Sequence, residues 1–232
     1  MTRTLVLLDV TAMSGDAVCV AGIDLDTRET LRLNDPPPTR TMLRRLEGLA
    51  PGDVIRVDWK PVRRPTPPHV EDGEWAPRSL KKIRVMAIPE IVALLSPGAF
   101  DSVEDAFGGH FYTGGGGNHA WKPSAGSRSL ATIRTQYVRA DERAGKLRIT
   151  IRDERNAYLR GIPFQDLAVR LHATECRDCA DSYLRRVREE FDGNRVLVRV
   201  GLTRSFAPDD DRPQGCWLQV TNVFGRPRQH FA

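Results

Sequence analysis

The stretch RVLVRVGLTRSFAPDDDRPQGCWLQVTNVF, residues 195–224, holds two strands and the loop that joins them. Val196, Val198 and Val200 alternate with Arg195 and Arg199, the period of a strand with one buried face. Further on, Leu218, Val220 and Phe224 fall on one side, and Trp217, Gln219 and Thr221 on the other. Just before this stretch, ADSYLRRVREEFDGN (180–194) sets Tyr183, Leu184, Val187 and Phe191 at roughly helical spacing. Working back again, SLATIRTQYVR (129–139), GKLRITIRD (145–153) and AYLRGI (157–162) read as three strands. One helix before the last two of five strands is the order of a small OB barrel.

The first half repeats the outline. TLVLLDV (4–10), AVCVAGIDL (17–25) and ETLRLND (29–35) are strand-like. Met42, Leu43, Leu46 and Leu49 then recur at helical spacing behind Thr39 or Thr41 as cap. In VIRVDWKPV (54–62), Ile55, Val57 and Trp59 oppose Arg56, Asp58 and Lys60. AIPEIVALLSP (87–97) reads as a further short helix, and Gly114 to Gly117 as a flexible linker. The expected fold is therefore mainly β with short helices, in the α+β class. It is built as two tandem OB-like small barrels, residues 1–125 with a helical and Gly-rich extension and residues 126–232.

Three passages, TLVLLDVTAMSGDAVCVAGIDL (4–25), PPHVEDGEW (67–75) and LVRVGLTRSFAPDDDRPQGCWLQVTNVF (197–224), resemble the dual OB-containing domain family of bacteria. The middle passage resembles a Pro-x-His-x-Glu-Asp-Trp signature, departing from it in the two residues between Asp72 and Trp75. The resemblance implies two OB-like barrels in tandem and a nucleic-acid or ligand-binding role. It implies no catalytic residue.

Composition agrees with a binding module without selecting its ligand. The chain has 232 residues, a formal charge of +5 and a pI near 9.3. Its lysines are Lys60, Lys81, Lys82, Lys122 and Lys146, and the other basic residues are arginines. An Arg-dominated surface suits an anionic partner. No apolar run approaches the roughly 20 residues that span a bilayer, and TLVLLDV reads as a strand rather than a leader. The expectation is a cytoplasmic protein with no membrane partner.

The candidate nucleic-acid site lies on the second half. Arg148 and Arg152 oppose Leu147, Ile149 and Ile151, so they are expected to face outward. Arg134, Arg195, Arg199, Trp217 and Gln219 join them as phosphate partners, stacking platform and polar neighbour. The expected function is non-catalytic binding of single-stranded nucleic acid or structured RNA. The alternative is a protein- or small-molecule-binding scaffold in a regulatory or defence system.

Other chemistry is poorly served. HATECRDC (172–179) offers His172, Cys176 and Cys179 as three zinc ligands, with Cys216, His110 or His119 as a distant fourth. A pair of free cysteines in a charged loop is the competing reading, and no cofactor is expected. A zinc deaminase needs proline before Cys-x-x-C, where Glu175 stands. The glycine run lacks the G-K-[ST] ending of a phosphate loop. His69, Glu71, Asp72 and Glu74 read as a pinned structural loop sooner than a cation site.

Overall fold

The computed structural model describes residues 1–45, 48–108, 111–113, 119–121, 128–143, 146–168, 195–208, 210 and 214–225. It is mainly β, with a few short helices and two sheets. The first sheet contains β1 (Thr2–Ala12), β2 (Val18–Asp24), β3 (Thr30–Asp35), β4 (Asp53–Pro61), β5 (Asp72–Trp75) and β6 (Lys81–Val85), with α1 (Arg40–Arg45) between β3 and β4. Next come α2 (Ile88–Leu95) and α3 (Val103–Phe107). The second sheet contains β7 (Phe111–Thr113), β8 (His119–Trp121), β9 (Leu130–Arg143), β10 (Lys146–Asp153), β11 (Tyr158–Pro163), β12 (Val196–Leu202) and β13 (Cys216–Phe224).

Five strands of the first sheet close on themselves in the order β1-β2-β3-β5-β4, with β4 returning to β1. The closure needs one strand long enough to serve two neighbours. β1 does this: Thr2 to Val6 pair with β4, and Leu5 to Ala12 pair with β2. β3 and β5 run parallel and all the other pairs are antiparallel. Gly22 is required where β1 crosses β2, because a Cβ there would stand 2.2 Å from the Val6 carbonyl oxygen. Leu5, Leu7, Val20, Leu33, Ile55 and Val57 fill the ring, and α1 closes one end with Leu43. Thr39 caps α1, its Oγ1 accepting from Met42 N at 3.1 Å.

The second sheet follows the same path. β9 pairs with β12 through its first half and with β10 through its second. β10 pairs with β11, and β12 with β13. A parallel bridge between Phe164 and Val220 joins the end of β11 to β13, and Gln165 N donates to the Val220 carbonyl at 2.9 Å. Ile133, Val138, Ile149, Ile151, Val198 and Val220 fill this second core. Val57 and Ile149 thus sit in separate cores, as the repeated pattern predicts.

The sequence reading places the boundary at residue 126. α3 places Val103, Ala106 and Phe107 in the second core, and Phe100 bridges to Ile133. β7 pairs with β8, and β8 with β13. Phe100 and α3 thus pack with the second core. A third cluster, with Val6, Leu8, Ile91, Leu95, Leu197 and Phe224, lies between the two rings under α2. Among the described residues no helix is long and apolar enough to cross a membrane.

Candidate nucleic-acid interface

The sheet registers set outward residues in rows. In the second sheet, Arg152 on β10 stands opposite Tyr137 on β9 and Tyr158 on β11. The next outward pair is Thr150 with Arg139, followed by Arg148 with Asp141. Lys146, Arg148, Thr150 and Arg152 alternate along β10 with the buried Leu147, Ile149 and Ile151, which gives this face its composition. Arg160 follows Tyr158 on the outer side of β11. The Tyr158 ring is half exposed, and the guanidinium carbons of Arg152 and Arg160 each lie 5.6 Å from its centroid. Arg152 Nε is buried and finds no acceptor among the described residues. Arg139 Nε donates to Asp141 at 3.0 Å, and Arg148 reaches the Gly161 carbonyl at 3.4 Å. Burial exposes one aromatic ring here among several cations, the chemistry that base stacking and phosphate pairing require.

The remaining candidates do not extend this face, and two of them are corrected. Arg199 is not outward: its side chain is 2% exposed. Its Nε and second terminal nitrogen donate to the two carboxylate oxygens of Asp9, at 3.2 and 2.6 Å. Its other terminal nitrogen donates to Thr132 Oγ1 at 3.1 Å, and Thr221 Oγ1 donates to Asp9 at 2.5 Å. Every residue of β12 is buried, because its second face meets the first ring. Trp217 is not a platform either. It is 5% exposed, its Nε1 donates to the Phe206 carbonyl at 3.1 Å, and the chain from Thr203 to Phe206 folds over it. Arg134 is half-buried and tied to Asp101 and the Ser96 carbonyl, both at 2.7 Å. Arg195 is exposed, 3.8 Å from Glu154, and Gln219 is half-buried opposite Gly201. Tyr158, Arg160 and Arg139 were missed. AYLRGI read as a strand, but no period within it showed that its Tyr158 lies beside Arg152.

PHVEDGEW is part of the junction between the rings. Glu71 accepts from Ser129 N at 2.6 Å, Ser129 Oγ at 3.0 Å and Leu130 N at 3.1 Å. Asp72 accepts from Arg32 Nε at 2.6 Å and from Arg204. Arg32 also donates to Ser129 Oγ at 2.8 Å and to His69 Nδ1 at 2.9 Å. A guanidinium only donates, so Nδ1 is the acceptor and the imidazole proton sits on Nε2, which is buried and finds no acceptor among the described residues. Burial, with the charges of Arg32 and Arg204, holds the His69 pKa down at about 3, so the ring is neutral. Gly73 lies against Trp59, where a Cβ would stand 2.0 Å from the indole, and this close packing accounts for the glycine between Asp72 and Trp75.

Of the zinc candidates, His172, Cys176 and Cys179 lie outside the described residues. Cys216 is a free thiol, buried in the second core, and burial pushes its pKa up. Among the described residues no three His, Cys, Asp or Glu side chains gather as metal ligands. Comparisons of the chain with protein-family models, with curated proteins and with solved structures find no match.

Proposed function

We propose that this chain is a non-catalytic module of two tandem OB barrels, of the dual OB-containing kind, that binds single-stranded nucleic acid on the outer face of β9, β10 and β11. The strand order supports the OB reading of both rings. A long first strand serves two neighbours, the third and fifth strands run parallel, and α1 stands between the third and fourth strands of the first ring. The second and third strands of such a barrel form its usual nucleic-acid face, and here these are β10 and β11.

The observation that carries the reading is the exposed Tyr158 ring flanked by Arg152 and Arg160. A base stacks on the ring, while Arg148, Arg152 and Arg160 meet phosphates. The test is a fluorescence-polarisation titration with single-stranded DNA and RNA at two salt concentrations. Tyr158→Ala is expected to weaken binding about 5- to 150-fold, the equivalent of about 1 to 3 kcal/mol for one stacked base. Arg152→Ala is expected to weaken it and to flatten its dependence on salt. Unchanged affinity in the folded Tyr158→Ala protein would overturn the proposal. A small-molecule-binding scaffold is the second reading, favoured by the cleft between the rings.

A further inference from the structure

A cleft of about 1530 Å³ opens between the rings. Its walls come from the turn between β2 and β3, from α2 and from the start of β9. Ile23, Leu25, Leu94 and Phe100 line its apolar part. The lining charges separate into those matched by neighbours and those left over. Arg84 lies 3.5 Å from Glu90, Arg199 is held by Asp9, and Glu71 by Ser129 and Arg32. Among the described residues Arg28 and Arg128 have no carboxylate partner, and Glu29 accepts from the Thr27 hydroxyl at 3.1 Å. Arg3 gives one terminal nitrogen to Asp24 at 3.0 Å, but its Nε is buried and finds no acceptor among the described residues. The Arg3 side chain is 18% exposed and lines the cleft. Arg128 lies over the Phe100 ring at 4.7 Å, which presents a flat cationic surface to the cleft.

We propose that this cleft binds a nucleotide, with its base against the Arg128–Phe100 pair and its phosphate between Arg3 and Arg28. The apolar walls take the base and sugar. Donors that approach from β1 and from the β2–β3 turn need an acceptor whose oxygens point in more than one direction. A phosphate has that shape, and the two oxygens of a carboxylate lie in one plane. The site is separate from the Tyr158 face, so either proposal can fail alone. A free nucleotide and the 5′ end of a strand present the same chemistry.

The experiment is calorimetric titration of the full chain with AMP and adenosine, followed by competition against AMP with dTdT carrying a 5′-phosphate or a 5′-hydroxyl. AMP is expected to bind at least tenfold more tightly than adenosine. Arg3→Gln and Arg28→Asn should each weaken AMP at least tenfold and leave adenosine unchanged. Asparagine suits position 28, where φ is 64°, and the side chain there is exposed, so this variant keeps the fold. Tyr158→Ala should bind AMP as the parent does. Displacement of AMP only by the phosphorylated dinucleotide assigns the site to strand ends, and displacement by neither assigns it to free nucleotides. Equal affinity for AMP and adenosine, binding unaltered in both arginine variants, or saturation by decanoate but not by AMP would each overturn the proposal.

Discussion

The two rings share a strand order and treat the same outer face in opposite ways. On the first ring, the face of β2 and β3 carries Ala21 opposite Arg32, with Asp9 on one side and Asp72 on the other. All four are buried, at 1%, 7%, 0% and 4% exposure, because the second ring packs against them. On the second ring, the matching face of β10 and β11 carries half-buried Arg148 and Arg152 with exposed Tyr158 and Arg160. A surface committed to an internal junction needs charges that cancel within it, as Asp9 does with Arg199 and Asp72 with Arg32 and Arg204. The open surface keeps an excess of cations. One topology used twice therefore leaves one face buried in the junction and one open, which is the face the proposed function uses.

The comparison breaks first at Arg199. Arg199→Ala leaves Asp9 buried and unpaired, and is expected to lower the unfolding free energy by about 3 to 5 kcal/mol in urea titrations. The double variant Asp9→Leu with Arg199→Met should recover most of that loss, since a buried pair replaced by apolar groups is often neutral. An Arg199→Ala protein as stable as the parent would show that the junction is not held there. Ala21→Leu on the closed face should cost about 1 to 3 kcal/mol through overpacking. Thr150→Leu on the open face should stay within about 0.5 kcal/mol. Equal effects at these two positions would erase the distinction between the faces.

His69 sharpens the comparison through pH. Its folded-state pKa of about 3 lies below the ordinary 6.5, so the unfolded chain binds the extra proton between these values. The stability contributed by the neutral ring is complete above pH 6.5. It declines as pH falls towards 3, by up to about 1.4 kcal/mol per pH unit. His69→Gln should flatten this part of the profile, read as the urea midpoint from pH 7 to 4.5. Parallel profiles for parent and variant would remove His69 from the junction. The smallest effect is expected at Lys146→Ala on the open face: stability within about 0.5 kcal/mol of the parent, with a modest loss of the salt dependence of binding.

Much of the fold was legible because a strand with one buried face prints its period into the chain. VIRVDWK and LRITIRD alternate, and their inward residues are those found in the two cores. The same rule failed at Arg199 and Trp217. Period 2 says which residues share a face, but it cannot say whether that face meets water. β12 is covered on both sides, and Trp217 is covered by a loop whose polar sequence, TRSF, carries no mark of it. The pairing of β7 and β8 with the second sheet was hidden for a related reason. Three-residue strands such as FYT and HAW are too short to show a period, and the glycines between them read only as a break.

By itself the sequence determined the longer strands, the place of α1, the paired cores and the excess of arginine, since each depends on local pattern or simple composition; β5, β6, β7 and β8 were not read from it. Only the tertiary structure decided which arginines are available. Arg148 and Arg199 occupy similar places in alternating Val- or Ile-rich strands, yet one is half open and the other lies against Asp9, 190 residues away in the chain. Burial of a charge is settled by what stands opposite it across the junction, and that neighbour is set by packing between rings rather than by adjacent residues.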